Sequence, residues 1–106
     1  MHELAEYLDQ SQERFEDDLI ELLRIPSVST DSRHKADVLR AAEWVAGQFR
    51  GMGLEVRIVP TKGHPLVYAE SPPVPGKPVA LVYGHYDVQP PEPLEKWISP
   101  PFEPAR

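Results

Sequence analysis

Cysteine is absent from the 106 residues of this sequence. Disulfides therefore contribute nothing to its stability, and no metal site in it can use a thiolate ligand. Basic residues are also few, since 11 Lys and Arg stand against 17 Asp and Glu and give a formal net charge of -6. Nucleic acids and anionic membrane surfaces are both bound through basic faces, so we expect neither as a partner.

Long hydrophobic runs are missing as well. No stretch approaches the roughly 20 apolar residues that cross a bilayer. The amino terminus, Met1 to Leu4, has neither the basic nor the apolar region of a secretion signal, so we expect a cytoplasmic protein. With 41% hydrophobic residues in this length, the chain can form at most one domain with a modest core.

Two amphipathic helices are predicted in the first half of the chain. Leucines and Phe15 recur at three- and four-residue steps over about residues 3–24, with charged residues between them, and Pro26 ends the pattern. A second apolar stripe runs over about residues 33–52 and contains small side chains that allow close packing on a sheet.

Three strands are predicted after the helices. Residues 54–59 alternate apolar and charged side chains, and residues 66–70 form a second strand that can pair with the first as a hairpin. Residues 79–85 begin as a continuous apolar run, which predicts a buried strand. The predicted fold is α/β, with helices packed on a mixed β-sheet whose strand order the pattern does not decide.

The third strand leads through Gly84 to His85 and Asp87. Ligands of open α/β sheets bind beyond the carboxyl ends of strands, so a site is expected here. Residues two apart on an extended chain point to the same side, and a histidine that binds zinc usually donates its second ring N–H to a carboxylate or carbonyl. On spacing alone, a hydrogen-bonded structural histidine is the commoner arrangement. His64, in a Gly-His-Pro turn, gives a weaker indication of metal binding.

Proline is concentrated at the carboxyl end, where it excludes helix and central strand. Two hypotheses describe residues 90–106. One is a disordered, proline-rich end, and the other is an ordered loop that packs Trp97 and Phe102 near His85. Two large aromatic side chains are unusual in disordered sequence, which favours the ordered loop where the rest of a larger protein is present.

The string Gly-His-Tyr-Asp-Val-Gln-Pro at residues 84–90, followed by Trp97 and by Pro-Pro-Phe-Glu-Pro at residues 100–104, closely resembles a family of zinc metallopeptidases. This family includes aminoacylases, carnosine-type dipeptidases and glutamate-type carboxypeptidases, and the dipeptidase branch is the nearest match. The Ile-Pro-Ser-Val-Ser turn at residues 25–29 and the order of the predicted elements match as well. The resemblance covers essentially the whole chain.

The resemblance implies a metal-dependent dipeptidase, a hydrolase in which a metal-activated water cleaves the peptide bond of a dipeptide. It implies that His85 is a ligand of one Zn²⁺ in a two-zinc site. It further implies that Asp87 is the catalytic-site carboxylate that orients His85. One imidazole does not distinguish zinc from Mn²⁺ or Co²⁺. The complete enzyme is implied to be a homodimer, because a lid domain often mediates dimerisation in this family.

The family pattern continues with further acidic ligands, a glutamate base, a distant histidine and the lid domain, none of which occurs before Arg106. We therefore expect residues 1–106 to be a partial, amino-terminal portion of a metallopeptidase catalytic domain, without peptidase activity alone. The alternative hypothesis is a stand-alone, non-catalytic α/β binding module that keeps the start of the fold. Its unpaired strand edge would need a partner chain or a second copy.

Overall fold

The computed structural model describes residues 1–106, and these form two compact units. The first unit contains residues 1–25 and 91–106, and the second contains residues 26–90. None of the helices combines the length and the hydropathy that a membrane span requires.

Helix α1, His2–Leu23, belongs to the first unit and confirms the first predicted helix. Its apolar stripe remains 38–54% exposed at Leu4, Leu8, Phe15, Leu19 and Leu23. The rings of Tyr7 and Phe15 meet edge to face at 6.0 Å, and the Arg14 guanidinium lies 4.9 Å from the Phe15 ring centroid. The predicted packing of α1 on the sheet stays a prediction.

The carboxyl-terminal part of the first unit is fixed by side-chain hydrogen bonds. The Trp97 indole N–H donates to the Pro91 carbonyl at 2.8 Å. Arg106 donates to the carboxylates of Glu16 and Asp17 on α1, at 3.2 and 2.8 Å. These contacts agree with the hypothesis of an ordered loop, while the predicted packing of its aromatic side chains near His85 stays a prediction.

Helix α2, Lys35–Gly51, packs on a hairpin in the second unit. Its apolar stripe is fully buried at Val38, Ala41, Ala42 and Ala46. Strands β1, Glu55–Val59, and β2, Leu66–Glu70, pair antiparallel, with Glu55 opposite Glu70 and Val59 opposite Leu66. Between α2 and β1 the chain turns at Gly53, whose φ of 81° favours glycine. The second helix and the hairpin are therefore confirmed.

The third predicted strand is wrong for this chain, because residues 79–85 pair with no other strand. The sheet is a two-stranded antiparallel hairpin and not a mixed sheet. Four apolar side chains of the run are 90–93% exposed: Val79, Leu81, Val82 and Tyr83. A continuous apolar run is typical of a central strand, which needs cover on both faces. Here β1 and β2 pair with each other and leave it uncovered, although the predicted α/β class is confirmed, with α2 packed on the hairpin.

Candidate metal-ligand site at His85 and Asp87

The candidate site lies where the chain, after the exposed apolar run, returns to the segment Ser27–Ser29. Val88 forms a parallel bridge with Val28, and the Val88 N–H donates to the Ser27 carbonyl at 3.0 Å. The Ser27 hydroxyl donates to the Tyr86 carbonyl, also at 3.0 Å. Ser27 and Val28 are both buried. The backbone that carries the site is therefore fixed by main-chain and side-chain hydrogen bonds.

His85 and Asp87 contact each other directly, as their spacing predicts. The His85 Nδ1 lies 2.8 Å from Asp87 Oδ1 and 3.1 Å from the Asp87 carbonyl oxygen. Because both oxygens only accept, Nδ1 carries the proton, and in the neutral ring Nε2 keeps its lone pair. The His85 side chain is 75% exposed, and its Nε2 has no hydrogen-bond partner. This is the tautomer and orientation of a metal-binding histidine held by a carboxylate.

The second oxygen of Asp87 is held by a serine from the distant segment. The Ser29 hydroxyl donates to Asp87 Oδ2 at 2.6 Å. This hydrogen bond is the largest cause of a lowered pKa of Asp87, against which partial burial acts, and the hydrogen bond from His85 lowers the pKa further. Asp87 is therefore ionised at neutral pH and accepts from a donor on each oxygen.

The turn between β1 and β2 contributes two more contacts. The Tyr86 hydroxyl donates to the Pro65 carbonyl at 2.5 Å, and burial together with the charge of Asp87 raises the pKa of Tyr86. The His64 Nε2–H donates to the Ser29 carbonyl at 2.7 Å. His64 thus uses Nε2 to hold the backbone beside Asp87. The turn supports the site without facing His85 as a second ligand.

The residues of this chain fit one metal ligand, not a complete metal site. His85 presents a free Nε2, while both oxygens of Asp87 are already hydrogen-bonded. No group of three or more histidine and acidic side chains in residues 1–106 is arranged to hold a metal ion. Three protein ligands are the usual minimum for a catalytic zinc. The roles of His85 and Asp87 in metal binding stay predictions.

Sequence patterns did not identify the supporting residues, which are Ser27, Ser29, His64 and Tyr86. The two serines belong to the Ile-Pro-Ser-Val-Ser turn that contributes to the family resemblance. That match was the only signal that pointed to them. Ser29 and Asp87 are 58 residues apart, so no local periodicity connects them.

Comparison with known proteins identifies relatives over nearly the whole chain. The chain is 28% identical to the Cys-Gly metallodipeptidase dug1 of Schizosaccharomyces pombe, and the match covers 96% of this chain and 24% of the relative. It is 31% identical to the cysteinylglycine-S-conjugate dipeptidase of Corynebacterium striatum, over 91% of this chain and 21% of the relative. The solved structure of the dipeptidase Dug1p from Saccharomyces cerevisiae matches 91% of this chain and 22% of its own, with a TM-score of 0.80 and 28% identity. The chain is therefore similar in sequence and in structure to about a quarter of these metallodipeptidases.

A Beta-Ala-His dipeptidase of Rattus norvegicus matches as well, at 29% identity over 96% of this chain and 23% of the relative. The predicted resemblance to the dipeptidase branch is confirmed, and these relatives are hydrolases. The chain spans about a quarter of the length of the curated relatives it matches. No family model matches the chain.

Proposed function

We propose that residues 1–106 form the amino-terminal part of a metallodipeptidase catalytic domain and contribute one metal ligand, His85, to its active site. The observation that carries this proposal is the 2.8 Å contact between His85 Nδ1 and Asp87 Oδ1, which leaves Nε2 free in an exposed ring. The surface pair His34 and Asp37 makes the same 2.8 Å contact, so the His85 contact supports metal binding together with the place of His85 in the Gly-His-Tyr-Asp-Val-Gln-Pro string. The homology to metallodipeptidases supports a metal as the missing partner of Nε2.

Asp87 is a positioning residue in this proposal. Its carboxylate holds the His85 proton at Nδ1, fixes the plane of the ring and makes the imidazole a stronger ligand. When bound, a metal of this class supplies a polarised water for hydrolysis. We propose Zn²⁺, with two ions in the complete site, because the family that residues 84–104 resemble has a two-zinc site, and a neutral imidazole is a suitable zinc ligand. Mn²⁺ and Co²⁺ are the alternatives that a metal titration distinguishes.

The proposal extends to the substrate and the assembly. The names of the relatives, which are dipeptidases, support a dipeptide as the substrate. The family resemblance of residues 84–104 supports a homodimer of the complete enzyme. The net charge of -6 supports our exclusion of nucleic acid as a partner.

We further propose that this chain alone does not hydrolyse dipeptides, since one histidine does not hold a catalytic metal. The direct assay measures hydrolysis of Cys-Gly and β-Ala-His by the 106-residue chain with added Zn²⁺ or Mn²⁺. We expect no turnover above the metal-only control. Turnover that His85→Ala abolishes would contradict the proposed inactivity.

Metal binding by His85 is tested separately from turnover. A Zn²⁺ titration followed by NMR of the histidine rings should shift the His85 signals, and His85→Ala should remove this binding. His34→Ala is the matched control, because His34 Nδ1 makes the same 2.8 Å contact with a carboxylate, that of Asp37, outside the candidate site. Equal zinc binding by the wild type and His85→Ala would contradict the proposed metal role of His85.

A second candidate function is a non-catalytic module that pairs through its apolar run, in which four side chains are 90–93% exposed. An exposed, uncharged apolar segment with unpaired backbone groups can pair with the same segment of a second copy of the chain. Analytical ultracentrifugation tests this candidate. A dimer that Leu81→Lys dissociates would favour the module, whereas a monomer in both the wild type and Leu81→Lys would exclude it.

A further inference from the structure

The Asp87 carboxylate is held at both oxygens, by donors from two distant parts of the chain. His85 Nδ1 donates to Oδ1 at 2.8 Å, and the Ser29 hydroxyl donates to Oδ2 at 2.6 Å. The Asp87 side chain is 41% exposed, so packing alone does not fix its rotation. With Oδ2 bound to Ser29, Oδ1 is the oxygen that remains for the imidazole.

Ser29 presents its hydroxyl from a backbone that is itself fixed. Its carbonyl accepts from His64 Nε2 at 2.7 Å, and the preceding residue, Val28, is buried and bridged to Val88. His64 is in turn held by the Thr61 hydroxyl, which donates to the His64 carbonyl at 2.6 Å. A donor on a rigid support orients its partner more closely than one on a mobile loop.

We propose that Ser29 is a positioning residue of the candidate site. Its hydroxyl fixes the rotation of the Asp87 carboxylate, so that Asp87 keeps the His85 proton at Nδ1 and leaves Nε2 free for the metal. The part of this proposal that concerns the metal rests on the proposed function. The part that concerns the His85 tautomer stands on the contacts within this chain.

Ser27 provides a matched control within the same segment. Its hydroxyl also crosses to the second segment, but it donates to the backbone carbonyl of Tyr86 at 3.0 Å and not to Asp87. Ser27→Ala and Ser29→Ala therefore each remove one hydroxyl and one hydrogen bond between the same two segments. A merely structural role would make the two variants alike at His85, whereas a positioning role affects His85 only in Ser29→Ala.

The first readout is the tautomer of His85 in the metal-free chain, measured by long-range ¹H–¹⁵N NMR well above the ordinary imidazole pKa of about 6.5. We expect the wild type, Ser27→Ala and Ser29→Thr to carry the proton at Nδ1. Ser29→Ala should show a mixture of Nδ1–H and Nε2–H forms. An unchanged His85 tautomer in Ser29→Ala, or the same mixture in Ser27→Ala, would overturn the proposal.

The second readout is the midpoint of a Zn²⁺ titration at the His85 ring. Loss of groups that orient a metal ligand weakens metal binding by about 10- to 100-fold. Because Ser29 acts through Asp87, we expect Ser29→Ala to raise the midpoint by about tenfold, at the lower end of that range. Ser29→Thr, which keeps the hydroxyl, should restore the wild-type midpoint. A midpoint in Ser29→Ala equal to the wild type would contradict the proposed role.

The two readouts separate the failure of this inference from the failure of the proposed function. If the wild type shows the Nδ1–H tautomer but His85 binds no Zn²⁺, the metal role of His85 is wrong and the positioning of the tautomer by Ser29 is still tested. If His85 binds Zn²⁺ with the same midpoint and tautomer in Ser29→Ala, the metal role stands and the inference about Ser29 is wrong. Where Ser29→Ala unfolds the chain, folded Ser29→Thr provides the test, since a mixture of His85 tautomers in a variant that keeps the hydroxyl would overturn the proposal.

Discussion

Two neighbouring stretches of the chain differ sharply in how they are held. Residues 79–83 are apolar and at least nine-tenths exposed at four of five side chains, and they have no strand partner. Residues 85–88 are mostly polar, yet each takes part in a hydrogen bond or backbone bridge within the second unit. The candidate site is therefore held by specific polar contacts, and its geometry does not depend on the apolar run being covered.

The comparison also separates two kinds of information in the sequence. The apolar run is typical of a buried strand, but no part of residues 1–106 covers it. The chain matches about a quarter of the length of its relatives. The polar contacts around Asp87 are complete within residues 26–90, so their geometry can be tested in this chain.

The largest effect on stability is expected from a charge at Val28, the buried residue that forms the bridge with Val88. Val28→Asp puts a carboxylate at a position that is 1% exposed and next to the bridge with Val88. We expect it to lower the free energy of unfolding by more than about 3 kcal/mol, because an unpaired buried charge is costly. Urea denaturation measures this. Val74→Asp, at a position that is 61% exposed, is the control. Equal urea midpoints for the two variants would contradict the expected loss of stability at Val28.

A moderate effect is expected from the contact between Tyr86 and the hairpin turn. Tyr86→Phe removes the hydroxyl that donates to the Pro65 carbonyl and keeps the ring. We expect a loss of about 1 kcal/mol in the free energy of unfolding, the usual value of one such hydrogen bond. Tyr83→Phe makes the same change at a side chain that is 91% exposed and should leave stability unchanged. A larger loss in Tyr83→Phe would show that the apolar run is held after all.

The smallest effect on stability is expected at Asp31, the residue that caps the turn before α2. Hydrogen bonds from the Arg33 side chain and backbone lower the pKa of Asp31 to about 2, from an ordinary value of 3.8. Because the pKa of Asp31 is lower in the folded than in the unfolded chain, ionised Asp31 stabilises the fold above pH 3.8. This stabilisation is lost as the pH falls toward 2. Arg33→Ala should raise the Asp31 pKa toward 3.8, measured by carboxyl ¹³C NMR, and Arg50→Ala should not. An Asp31 pKa that stays near 2 in Arg33→Ala would contradict the assigned cause.

Local patterns predicted the local parts of the fold. The helix predicted at 3–24 is found at His2–Leu23, and the strand predicted at 66–70 is Leu66–Glu70, because helical periodicity and strand alternation are properties of a few consecutive residues. The contact of His85 with Asp87 was predictable for the same reason, since they are two residues apart.

The parts that sequence patterns did not predict depend on distant residues. Residues 79–83 are buried only where neighbouring strands and covering helices are present, and an apolar run alone does not show whether the chain contains them. The hydrogen bond from Ser29 to Asp87 joins residues 58 positions apart, and serines are common in turns for purely local reasons.

In the proposed site, His85 offers Nε2 to a metal, while Asp87 holds the proton on His85 Nδ1. The most direct measurement follows the two ring nitrogens of His85 by ¹⁵N NMR during a Zn²⁺ titration of the 106-residue chain. We expect zinc to shift the Nε2 signal strongly, while Nδ1 keeps the chemical shift of a protonated nitrogen. A zinc-induced loss of the proton at Nδ1, or binding that leaves both nitrogens of His85 unchanged, would contradict this arrangement.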